Sequence, residues 1–248
     1  MNGKVFWLSI VAVIISFVGG FLLANALNRS DLNTLRAEND RLKNSQTESK
    51  QNDSESVLSD EEIQEKIAEA DRNPTDYAFQ KNLGFALYRY ASMKQNTKLL
   101  AEVGRILSRV YENNSQDYAV VVTLGNVYFD IGYAKKDNAQ FEKAREFYQS
   151  ALAQKPSDVG VRTDYGLTYF LTQPPDAERA IAEFQKSLQT NPKHEKTLQV
   201  LTQTLLSENK ANEAEKYLAQ LKEVNRDNQS VPEFETQIAQ IKNNSPKQ

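Results

Sequence analysis

Gly84, Gly125 and Gly166 recur at an interval of 41 residues, and each sits in the same short phrase. The phrases read Leu83-Gly84-x-x-Leu87, Leu124-Gly125-x-x-Tyr128 and Tyr165-Gly166-x-x-Tyr169. A fixed period of this size constrains the chain to a stacked array, in which each unit buries its apolar face only against its neighbours. Most of such a molecule is surface, and its business is to hold something.

The rest of each unit repeats as well. Gly125 is followed by Ala144-x-x-x-Tyr148-x-x-Ala151-Leu152 and Pro156, and Gly166 by Ala180-x-x-x-Phe184-x-x-Ser187-Leu188 and Pro192. A fourth unit runs Leu198-x-x-Leu201-Thr202-x-x-Leu205, then Ala214-x-x-x-Leu218-x-x-Leu221. A glycine in the first helix of a pair lets the second approach. Ala144, Ala180 and Ala214 do the same from the other side, and the aromatic rings fill the space between. Pro156 and Pro192 end units because proline lacks the donor a continuing helix needs.

This order resembles the tetratricopeptide repeat (TPR) family, whose pattern is Leu-Gly-x-x-Tyr, then Ala-x-x-x-Phe, then Pro. The resemblance covers residues 59–228 and implies an all-α solenoid of about four helix pairs. Unit one departs from the pattern, with Val103, Leu107 and Val110 where small and aromatic residues belong. The 41-residue units exceed the family's usual length, and the additional residues, at 90–100 and 131–140, lengthen a turn or a helix end. Ser59 and the acids after it open a helix that serves as a preceding half-unit. Residues 229–248 carry a capping helix and a tail, with Phe234, Ile238 and Ile241 along one face.

Ahead of the repeats, residues 1–4 form a short tail and residues 5–27 an uncharged stretch of 23, bounded by Lys4 and Arg29. That exceeds the ~20 residues a membrane-spanning helix needs. Its apolar core is also longer than the ~7–15 residues of a cleaved signal, the competing reading, which would cut after Ala24-Asn25-Ala26. Flanking positive charge favours a cytoplasmic repeat domain, but long domains often translocate regardless. A four-residue tail suits signal-like insertion, so the repeat domain is expected outside a bacterial inner (cell) membrane.

Residues 28–58 are a juxtamembrane helix and linker. Leu32, Leu35, Asn39 and Leu42 keep heptad spacing, with the asparagine at an inner position where it sets register. The segment is either a short homodimerisation zipper or a solvated helix. Residues 44–56 carry no apolar side chain and suit a flexible spacer.

Chemistry is sparse. The 30 basic and 33 acidic residues are interspersed, so no basic stripe points to nucleic acid. With no cysteine and one histidine, His194, neither multi-residue His/Cys metal sites nor Cys/His nucleophile pairs can be assembled, and a Ser/His pair would have to rest on His194 alone. His194 reads as a solvated turn residue. No catalytic residue, metal or cofactor is expected, and the chain reads as a non-enzyme.

The resemblance implies a peptide-binding groove lined by the first helix of each unit. Spacing from the glycines nominates Lys81, Phe85, Tyr88 and Arg89, then Val122, Asn126 and Phe129, then Thr163, Leu167 and Phe170, and finally Gln199, Gln203 and Leu206. About half of these should pack between helices instead. Only Lys81, Arg89 and Asn126 echo the Lys/Asn/Arg set with which some family members clamp a carboxylate, so an apolar or amphipathic client is the better match. The layout is similar to anchored bacterial TPR proteins of cytochrome c maturation and to envelope TPR factors near the Sec translocon. That implies a membrane-tethered adaptor for a protein or peptide client; the alternative is a self-associating envelope scaffold with no peptide client.

Overall fold

A computed structural model describes residues 59–244. Among them all regular structure is helical: α1 (Asp60–Arg72), α2 (Tyr77–Lys94), α3 (Thr97–Asn113), α4 (Tyr118–Lys135), α5 (Asn138–Gln154), α6 (Val159–Leu171), α7 (Ala177–Thr190), α8 (Glu195–Ser207), α9 (Ala211–Val224) and α10 (Val231–Asn244). No described helix is long and apolar enough to cross a membrane. The expected anchor at 5–27 and the zipper at Leu32, Leu35, Asn39 and Leu42 lie outside the described residues.

The helix starts are written in side chains. Ser59 and Glu62 close a reciprocal capping box on α1. Asp76, Asn96, Asp117, Asp137, Asp158 and Asp176 then cap α2 to α7 in turn, each carboxylate or amide oxygen accepting a first-turn backbone N–H. His194 takes the N-cap position of α8 without such a bond. It is half-buried rather than a fully solvated turn residue, with its Nδ1 2.6 Å from Thr197 Oγ1.

The helices pair as α2/α3, α4/α5, α6/α7 and α8/α9, each pair packing against the next. The surplus of the 41-residue units is helical: α2 and α4 have 18 residues where α6 and α8 have 13, and α3 and α5 have 17 where α7 and α9 have 14. The chain reverses at Gln95 and Lys136, both in the left-handed region with φ 52° and 53°.

Glycine does what the spacing predicts. A Cβ on Gly125 would lie 2.6 Å from the Tyr148 ring, and one on Gly166 2.6 Å from the Phe184 ring. On Gly84 it would strike Leu107, so unit one keeps the geometry with an aliphatic partner. Ala144, Ala180 and Ala214 are fully buried, as are Tyr148 and Phe184. Each such buried ring contributes on the order of 1.5–3 kcal/mol.

The ends are closed. Gln80, wholly buried, donates its amide to the carbonyls of Ala70 and Asn73 and so satisfies the C-terminus of α1. Arg105 and Arg109 both pair with Asp71 across the same seam. At the far end α10 buries Phe234 and Ile238 against the last pair, with Ile241 partly covered. A capping helix of this kind removes an apolar face that stacking would otherwise leave open.

Candidate client-binding groove

Helices α2, α4 and α6 each touch the next first helix of the array, and α8 touches α10. The second helices make no comparable contacts with one another. A stack drawn together along one row and spread along the other is curved, with its first helices on the inner side. The inner surface is therefore built by the helices that carry the sequence-nominated residues.

Their placement divides them. Phe129, Thr163, Phe170, Gln199 and Leu206 are buried and belong to the packing rather than to an open groove. The Phe129 ring meets Phe141 edge-on at 5.8 Å. Thr163 Oγ1 lies 3.0 Å from Ser187 Oγ and 2.6 Å from Thr197 Oγ1, in a buried hydroxyl cluster between units. Gln199 donates to Ser230 and accepts from Asn228, joining α8 to the turn before the capping helix. Lys81, Phe85, Tyr88, Val122, Asn126, Leu167 and Gln203 are half-buried and Arg89 is exposed, so these retain access to a ligand.

Two kinds of contact organise that surface. Lys81 pairs with Asp117 (2.5 Å) and Lys196 with Asp164 (2.6 Å), so each cation is held by the neighbouring unit. Gly125 has a second consequence: the Tyr148 ring passes over it from α5, and its hydroxyl reaches Asn126 Oδ1 at 2.8 Å. The bond occupies the Asn126 carbonyl and leaves its amide N–H groups for other acceptors.

Asp130, absent from the sequence-nominated set, is at the centre. It stands five residues after Gly125, as Arg89 stands five after Gly84, and i+4 from Asn126. Its place in the repeat marks the position, although its side chain is neither apolar nor of the Lys/Asn/Arg type that clamps a carboxylate. Asp130 Oδ2 accepts from Ser92 Oγ at 2.8 Å and from Tyr88 OH at 3.3 Å, both on α2. Its carboxyl is pushed up to about 6, first by burial and further by Asp164, against the two hydroxyl bonds and Lys196. Burial likewise holds the Tyr88 and Tyr148 hydroxyls well above the ordinary phenol range. Asp130 thus senses α2, α5, α6 and α8 together. Among the described residues no group of three or more His, Cys, Asp or Glu side chains is arranged to hold a metal ion.

The family model of the Cilia and flagella-associated protein 70 middle TPR-like domain matches residues 105–240. Among solved structures, residues 41 to the end of MamA from Desulfovibrio magneticus RS-1 superpose with a TM-score of 0.55 at 18% identity, over 68% of this chain and 87% of that one. A thermophilic TPR protein of Thermus thermophilus gives 0.51 at 14% identity, over 73% and 89%. At these identities the likeness is one of fold. No curated protein matches the sequence. With more than half its length matched by that family model and its helix pairs stacked as the period requires, the chain belongs to this TPR-like family and is a tetratricopeptide repeat protein.

Proposed function

We propose that this protein is a non-enzymatic, membrane-tethered TPR adaptor that holds a protein or peptide client on its inner surface. The observation that carries the reading is the row of half-buried groups along α2, α4, α6 and α8. Phe85, Val122 and Leu167 offer apolar contact, and Asn126 and Asp130 keep hydrogen-bonding capacity beyond their bonds within the fold. A surface with apolar anchors and a few placed polar groups is what segment recognition needs. Residues 5–27 are the anchor, the repeats face the extracytoplasmic side, and the clients belong to cytochrome c biogenesis or envelope protein assembly. The support for this finer part is the layout of the sequence.

Photo-crosslinking in intact cells tests the reading. A photoreactive residue at Val122 or Gln203 is expected to give client adducts, whereas one at exposed Glu146 on α5 is not. The double variant Phe85→Ala, Leu167→Ala should lower the yield severalfold while keeping its helical content. Equal adducts from Glu146, or a yield indifferent to the double variant, would sink the adaptor reading. Adducts of twice the chain's mass from either face would favour the self-associating scaffold. Sidedness is read in the same cells from Ser115→Cys, in an exposed turn of a chain with no other cysteine, with a membrane-impermeant maleimide. Labelling only after lysis would place the repeats in the cytoplasm.

A further inference from the structure

Three aspartates of the inner row, Asp117, Asp130 and Asp164, are not equivalent. Asp117 is matched by Lys81 and Asp164 by Lys196. Asp130 has only hydroxyl donors, and both converge on Oδ2. Its Oδ1 has no hydrogen-bond partner, yet the one buried unpartnered side-chain polar atom among the described residues is Gln154 Nε2. Oδ1 therefore keeps some contact with solvent, on a half-buried residue of the inner row. It is a carboxylate oxygen held in a fixed direction by Tyr88 and Ser92, in surroundings dry enough to strengthen any charge it meets.

The complement of such a group is a cation. An anionic ligand would meet Asp130 with Asp164 beside it, and a wholly apolar one would strip water from Oδ1 with nothing in exchange. The flanking stripe limits how the cation arrives: Val122, Asn126 and Asp130 follow one another at i, i+4 and i+8 on α4, and Leu167 lies one turn beyond Asp164 on α6. Leu167, Val122 and Phe85 are each half-buried.

We propose that the groove recognises a protein segment presenting one lysine or arginine side chain to Asp130 Oδ1, flanked by apolar residues that lie along Val122 and Leu167. This rests on the client-binding reading above and gives that client its chemistry. It also makes capture dependent on pH. The titratable and charged groups that face Asp130 are Tyr88 from α2, Tyr148 from α5, Asp164 from α6 and Lys196 from α8, and burial holds both tyrosine hydroxyls well above the ordinary phenol range. A cationic client binds the ionised carboxylate better, so capture strengthens as pH rises through about 6 and weakens below it.

The test uses the full-length protein and a random 16-residue peptide display library, selected at pH 7.5. Enriched peptides are expected to carry Lys or Arg within apolar surroundings. Asp130→Asn, which keeps an oxygen for Tyr88 and Ser92, should weaken the best peptide about tenfold, as should norleucine or citrulline in place of its cation. The two changes should not add, because they remove the same contact. Moving the wild type from pH 7.5 to pH 5 should give a similar loss, and Asp130→Asn should show none. Enriched peptides that lack a cation, or that bind Asp130→Asn unchanged while Leu167→Glu abolishes them, would overturn the proposal and leave the groove intact. Peptides unaffected by both Asp130→Asn and Leu167→Glu would overturn the proposal and the groove reading together.

Discussion

At Gly125 the missing side chain serves stacking and recognition at once. It lets the Tyr148 ring settle against α4, and the ring carries its hydroxyl through to Asn126 on the inner face. The ring atoms nearest the glycine belong to a fully buried side chain with nowhere to retreat. Gly125→Ala is therefore expected to destabilise the protein by about 1–3 kcal/mol, the usual cost of overpacking a filled core. Gly160 is the control. It also sits in a helix, α6, but a Cβ there would meet only Asp158 Oδ1, at 3.4 Å. Gly160→Ala should be neutral or stabilising, by up to ~1 kcal/mol through propensity and a less flexible unfolded chain. Denaturant midpoints of the two variants decide the matter. Equal effects would mean that the glycine period reports composition and not close packing.

Helices were legible in sequence to the extent that volume dictates them. The glycines, the alanines opposite and the ring or leucine between them cannot be exchanged without cavity or clash, so they repeat and can be counted. Helix ends depend on weaker preferences and were less visible. Nothing in residues 90–100 or 131–140 distinguishes a longer turn from a longer helix, because Gln95 and Lys136 perform the left-handed reversal that glycine or asparagine would announce. Relieving that strain is expected to help: Lys136→Gly should raise stability by up to ~1 kcal/mol, and Lys136→Val should lower it. A midpoint for Lys136→Gly below that of the wild type would show that the lysine makes a compensating contact. The groove divides in a similar way. Lys81, Val122, Thr163 and Gln199 share one helical position, yet the first two keep access while the last two are buried. Three of the four reach the start of the following unit: Lys81 reaches Asp117 and keeps access, whereas Thr163, at Thr197, and Gln199, at Asn228 and Ser230, are enclosed there. Helical spacing finds the face. It does not tell how far the next unit covers it, and that depends on partners about thirty residues away.

Along the repeat array, curvature brings charged groups from α4, α6 and α8 to one place, and the global stability should record it. Asp130 titrates at about 6 in the folded protein, against about 3.8 for an unperturbed aspartate. A carboxyl whose pKa is raised by folding binds its proton more tightly in the native state. Its contribution is therefore complete below about pH 4 and lost as pH rises through about 6. The loss is about 1–3 kcal/mol, the lower figure applying to the extent that water reaches Oδ1. Asp71 acts in the opposite sense. Arg105 first, then Arg109, hydrogen-bond to it and hold it at about 2, so its contribution fades only between about pH 4 and 2, and its exposure keeps that contribution small. Between pH 4.5 and 7.5 the Asp130 effect dominates, and the wild type is expected to melt at a lower temperature at pH 7.5. Asp130→Asn has no charge to acquire. Its melting temperature should stay flat over that interval and exceed that of the wild type at pH 7.5. Parallel profiles for the two proteins would show that Asp130 is not the group responsible. A flat wild-type profile would mean that water or Lys196 has already offset the burial. The comparison also separates the cost of the carboxylate from its use: a site that keeps a destabilising charge at neutral pH gains when a cationic side chain neutralises it. Addition of a cationic peptide that binds should therefore raise the wild-type melting temperature more at pH 7.5 than at pH 5, and should leave Asp130→Asn nearly indifferent to pH.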